Sequence, residues 1–207
     1  MKDLDVFLPK IFVHAPGLGI PVAYDAIRDA AVEMCERTGL WRWEDDFTVG
    51  FNGDEDISPP YGAVLLKIDS VLFNGIDLTH KTTGWLDAER PGWRTQEATS
   101  TAPSFITQVE LGTLRVVPYA AGKLNLAAKL KPADDCTQLP DFLADLYREV
   151  IAWGALGRVL MHPNQPYTNL TTAPYFQRRF DDKLIALSGV AQRGQQGAPT
   201  RSRATFF

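Results

Sequence analysis

The residue types most suited to chemistry are three histidines, an acidic cluster and five tryptophans. His14, His80 and His162 occur singly, and no HxxxH, HExxH or Cys/His cluster joins them. A zinc site would have to gather its ligands from three distant segments, so these read as surface or structural histidines. Glu44, Asp45 and Asp46, with Asp54, Glu55 and Asp56, set six acids against Arg42 alone between Trp41 and Pro60. Such a run could serve as a calcium loop or supply a carboxylate pair for glycoside hydrolysis. Asp54-Glu55-Asp56, however, has neither the alternate-residue spacing nor the distal Glu of an EF-hand. The plainer reading is a solvated face, with a metal site or a surface that repels negative charge as the alternatives.

Trp41, Trp43, Trp85 and Trp93 could stack on sugars if they stood on exposed loops, as in a carbohydrate-binding or cell-wall-degrading protein. Tryptophan is mostly buried, and large aromatics also dominate subunit interfaces, so core or interface packing is the expectation. Gly17-Leu18-Gly19 lacks both the third glycine of GxGxxG and a GK[ST] ending. No GxSxG is present, and no nucleophile and base stand at a recognisable spacing. The residues therefore predict no catalytic centre, no cofactor and no metal.

The elements that would carry these residues fall into three stretches. Pro16-Gly17-Leu18-Gly19 marks a turn, Pro21 suits a helix start, and Ala23, Ile27, Ala30 and Met34 recur at helical spacing up to Gly39, a left-handed cap. A helix over about 21–38 follows, and Trp41-Arg42-Trp43 hands it over to sheet. Short strands are expected at 47–51, 64–69, 71–73, 76–78, 105–109, 114–117 and 124–130, with 80–102 irregular. Asn74-Gly75 is the strongest hairpin dipeptide in the chain. Several short strands separated by turn signals indicate a small sandwich or barrel.

Pro140 then opens a helix to about Met161, on which Leu143, Leu146, Tyr147, Val150, Gly154 and Gly157 share a stripe. Gly154 and Gly157 would let another backbone approach closely, within the protomer or between neighbouring copies. Thr172 can cap a third helix carrying Phe176, Phe180, Leu184 and Leu187. The remainder, SGVAQRGQQGAPTRSRATFF, holds no acid and reads as a tail. Its Arg193, Arg201, Arg203, Phe206 and Phe207 suit an arm that orders on a partner. The predicted fold is α+β: a helical part at 1–46 and 132–188, a β insert at 47–131 and an extended tail at 189–207.

Composition sets the outer bounds. With 207 residues, 45% hydrophobic and 22% charged, the chain is globular rather than disordered or fibrous. A net charge of −4 weighs against a protein that grips nucleic acid over a broad face. Cys35 and Cys136 form no CxxC unit and suit a reducing compartment, with one long-range disulfide left open. Asp3, Asp5 and Lys10 interrupt the first residues, which do not read as a secretory signal, and no apolar run approaches membrane-spanning length. A soluble protein is expected.

One further pattern is visible in the order of segments. Leu114-Arg115-Val116-Val117-Pro118 and Leu139-Pro140-Asp141 precede Tyr147 to Arg158, then His162-Pro163-Asn164-Gln165-Pro166-Tyr167, Ala173-Pro174-Tyr175-Phe176 and Phe180. This layout resembles the neck proteins of tailed bacteriophages, the head-to-tail adaptors that form a ring beneath the portal. The resemblance implies a helical bundle that stacks side by side into a homo-oligomeric ring, commonly a dodecamer, with a β portion projecting tailward. It implies a virion neck location after assembly in the host cytoplasm, and as partners the portal protein and further tail or nozzle proteins. Double-stranded DNA would pass through the lumen without specific binding, and no membrane is involved. The C-terminal tail would be the portal-binding element, with Gly154 and Gly157 at a helix contact.

Overall fold

The computed structural model describes residues 1–50, 54–95, 102–194 and 196. In chain order the elements begin with β1 (Lys2–Asp3), a 3-10 turn (Leu4–Phe7), α1 (Leu8–Phe12), α2 (Ile20–Thr38), β2 (Arg42–Val49) and β3 (Asp54–Asp56). They continue with β4 (Ala63–Phe73), β5 (Ile76–Asp77), β6 (Thr79–His80), α3 (Thr83–Glu89), β7 (Phe105–Thr107), β8 (Thr113–Val117) and β9 (Gly122–Pro132). The last are β10 (Gln138–Leu139), α4 (Asp141–Leu146), α5 (Arg148–Val159) and α6 (Ala173–Arg193). The fold is α+β, in two compact units: Met1–Trp41 with Gly62–Val64 and the chain from Lys131 onward, and Arg42–Tyr61 with Leu65–Leu130. No helix among the described residues is long and apolar enough to cross a membrane.

The first unit is built around α5, which packs against both α2 and α6. Helix α2 starts with Pro21 in its first turn and ends at Gly39 (φ +63), whose N–H donates to the Cys35 carbonyl at 2.8 Å. Its buried side, from Ala23 through Ile27, Ala30 and Met34, has the period the sequence indicates. Helix α5 is apolar on almost every side, as a helix between two others must be. Helix α6 buries Phe176, Phe180, Leu184, Leu187 and Ala191, one stripe at three- and four-residue spacing. Leu4, Phe7 and Ile11 are fully buried in the same unit, and β1 pairs antiparallel with β10.

The second unit is a sandwich of two four-stranded sheets, ordered β2-β9-β4-β5 and β3-β8-β7-β6. Val71, Phe73, Leu124 and Leu126 from one sheet share a core with Ile106, Leu114 and Val116 from the other. The alternation of β9, which buries Leu124, Leu126, Ala128 and Leu130, is what one inward face of a sandwich requires. Asn74 (φ +49) and Gly75 (φ +83) form the two-residue turn that pairs Phe73 with Ile76. Positive φ at both positions is the demand that Asn-Gly meets with least strain.

The differences from the sequence expectations have physical causes. The helix expected over 140–161 breaks at Tyr147 (φ −126, ψ 14), which takes Leu146 off the buried stripe and leaves it 56% exposed. Sheet begins at Arg42 rather than 47, because the acidic run lies on an edge strand whose outer side tolerates charge. The segment 80–102 contains α3, capped by Thr82, whose Oγ1 accepts the Trp85 N–H at 3.3 Å. Finally, α6 runs through Gly189 to Arg193, so residues 189–193, expected as tail, are helical. One glycine costs a helix roughly 1 kcal/mol, too little to stop a stripe that continues to buried Ala191 and ends at Gly194, whose N–H donates to Val190 at 2.9 Å. Thr172 precedes α6 without capping it through its side chain; Asn169 Oδ1 instead accepts the Thr172 N–H at 3.0 Å.

Candidate functional site

Gly154 and Gly157 lie on α5 where α2 and α6 close over it. A Cβ at Gly154 would stand 2.9 Å from the Ala30 Cβ of α2 and 2.9 Å from the Phe180 ring of α6. At Gly157 it would meet Gln177 Oε1 at 2.8 Å and the Gln177 Cα at 3.2 Å. Both glycines therefore face helices of their own chain. The three helices are also tied by a half-buried charge network. Arg158 Nη1 donates to the Gly154 carbonyl at 2.8 Å and Nη2 to Glu33, which also accepts from Arg37 at 2.8 Å; Arg37 in turn donates to Asp181. Asp181, then Glu33, hold the Arg37 guanidinium still further toward its charged form. The Glu33–Arg37 pair is visible in sequence as an i, i+4 spacing, whereas Arg158 lies 125 residues from Glu33 and carries no local signal.

On the outer side of this bundle Tyr175, Arg179, Ala186, Val190 and Arg193 follow one another at helical spacing and are exposed. Arg179 lies 4.0 Å above the Trp153 ring and donates to the Tyr175 hydroxyl at 3.2 Å. Arg193, expected in the tail, is the last residue of α6. Arg201, Arg203, Phe206 and Phe207 lie outside the described residues.

The other candidates are placed as follows. Asp54 receives a bidentate bond from Arg115, with Nη2 to Oδ2 at 2.6 Å, and Asp46 accepts from Asn125 at 2.7 Å. Arg115 comes from β8, so the acidic run has a cationic partner that its own segment does not show. Among the described residues no three His, Cys, Asp or Glu side chains are grouped to hold a metal. Trp93 is 1% exposed, and its Nε1 donates to Asp87 at 2.7 Å. That bond and the stronger one from Arg94 hold the Asp87 carboxyl below the usual range. Trp41 is buried, and Trp85 sits against Phe105 beneath Lys81 Nζ at 4.3 Å, so the open faces a sugar platform needs are not offered by these rings. Cys35 and Cys136 are buried free thiols; burial pushes Cys35 up to about 12 and Cys136 upward as well. His14 packs edge-on to Phe176 and His162 against Tyr167.

Comparison with known families adds one match. The family model described as SU10 adaptor protein matches residues 14–203, which spans α2, the whole sandwich, α5 and α6. No curated protein matches the chain.

Proposed function

The chain belongs to the SU10 adaptor protein family, and we propose that this phage structural adaptor forms a homo-oligomeric ring that joins the portal to the tail. The ring stands in the neck of the virion, bears further tail or nozzle proteins below, and encloses part of the channel through which double-stranded DNA leaves. The observation that carries this reading is the extent of the family match, which takes in both units rather than a single motif. A net charge of −4 supports it, since a basic lining would hold phosphates and retard the duplex.

In this reading the segment after α6 is the portal-binding arm. Gly197 and Pro199 disfavour regular helix, Arg201 and Arg203 offer fork-shaped donors next to Arg193 at the end of α6, and Phe206 and Phe207 offer an apolar anchor. A single arm loses conformational entropy on docking, and a ring offsets this through effective concentration. The test is capture of portal by the full chain and by a chain lacking 195–207. The cut is placed there because Ala191 is buried and α6 extends to Arg193, so a cut at 189 would damage the bundle. The shortened chain is expected to stay folded and to lose portal. Equal capture by both would remove the arm from the mechanism and move the contact to the helices.

A further inference from the structure

The two long sides of the β sandwich differ in charge. On one side, β2 and β3 are the outermost strands of their sheets and lie beside each other. They carry Glu44, Asp45, Asp46, Asp54, Glu55 and Asp56. Arg115 takes up Asp54 and Asn125 takes up Asp46, while Glu44, Glu55 and Asp56 have no ion-pair partner among the described residues. On the opposite side, β5 covers β4 only at Leu72 and Phe73, so the edge of β4 at Leu66–Ile68 is unpaired on that flank among the described residues. β6 is likewise the last strand of its sheet.

Between these two edges lies a cavity of about 620 Å³. Lys67, His80, Lys81, Thr82, Thr83, Thr107 and Gln108 supply its polar lining and aliphatic side chains the rest, and no carboxylate lines it among the described residues. Lys67 is exposed and without an ion-pair partner among the described residues. Thr107 is 4% exposed, and its hydroxyl has no hydrogen-bond partner among the described residues. An unsatisfied buried hydroxyl in a cation-bearing groove between two strand edges is a site built for an incoming polar chain.

We infer that the acidic edge of one copy, centred on Glu55 and Asp56, docks into the Lys67–Lys81 groove of the next copy. The inference deepens the ring reading, on which it rests. A second copy is the occupant because the complementary charge is carried by this same chain, on the opposite flank of the same unit. A contact between two different surfaces of identical copies is heterologous, and such contacts propagate head to tail, closing into a ring where the rotation per copy closes and running on as a filament where it does not. The edge backbone groups of both copies gain partners across the joint, and the charges set its register.

The test uses cysteine pairs in chains assembled on portal particles. Cys35 and Cys136 are buried, so the unmodified chain serves as the control. Oxidation of the E55C/K67C double variant should give a ladder of cross-linked copies, an equal mixture of the E55C and K67C single variants should give dimers, and each single variant alone should give none. Cross-linking of D56C on one copy to Gln108→Cys on the next should fall by about tenfold when the Gln108→Cys copy also carries K67E and K81E, and E55K on the D56C copy should restore it. Dimers from E55C alone would mean a two-fold contact and overturn the proposal, as would K67C adducts formed only with another protein. A ring seen by imaging without any ladder would place the joint elsewhere and leave the ring reading standing. Absence of a ring would remove both.

Discussion

At the scale of single residues, the tightest geometry in the bundle is at two glycines that are not equivalent. Adding a methyl group at Gly154 sets it against Ala30 and Phe180, both fully buried and unable to withdraw. Helix propensity gains roughly 1 kcal/mol from such a change, and overpacking costs about 1–3 kcal/mol. Gly154→Ala is therefore expected to lower stability, and Gly157→Ala to cost less, because its nearest neighbour is the movable end of Gln177 and only the Gln177 Cα and Cβ at 3.2 Å must give by a few tenths of an ångström. Urea denaturation of the two variants checks the order; a more stable Gly154→Ala would contradict the close contact. The glycine pair could be picked out of the sequence, since glycine inside an apolar helix needs a packing reason. Their neighbours could not, because Ala30 and Gln177 come from distant segments. The same applies to Arg115, whose bond to Asp54 spans 61 residues and gives the acidic run its partner.

At the scale of elements, the clearest disagreement concerns the end of α6. Gly189 has nothing within 4 Å of where a Cβ would stand, and it lies inside the helix. Gly189→Ala is then expected to stabilise the protein by about 0.5–1 kcal/mol, read as a rise in the thermal midpoint. No change would mean that residues 189–193 are not helical. The elements that the sequence made legible are those with a clean period or a strong punctuator: α2 with its Gly39 cap, the Asn74-Gly75 hairpin and the alternating β9. Those it hid are short or interrupted. Leu4, Phe7 and Ile11 do have helical spacing, but the run is too short to stand out from its charged neighbours. Helix α3 buries only Leu86, which is no period at all. The break at Tyr147 carries no glycine or proline to announce it.

At the scale of the whole molecule, the chain combines a bundle tied by charge between α2, α5 and α6 with a sandwich that has an acidic edge at β2 and β3 and a lysine-bearing groove on the opposite flank. Both features suit a protein that is stable by itself and associates through its surfaces. The segment after α6 would add weak contacts that gain strength by repetition. The central claim is that copies of this chain close into a ring on the portal. Electron cryomicroscopy of portal particles incubated with the full chain tests it most directly. A closed ring of copies around an open channel, coaxial with the portal, is the predicted result. Isolated copies scattered on the particle, or portal with no added density at saturating chain, would contradict it.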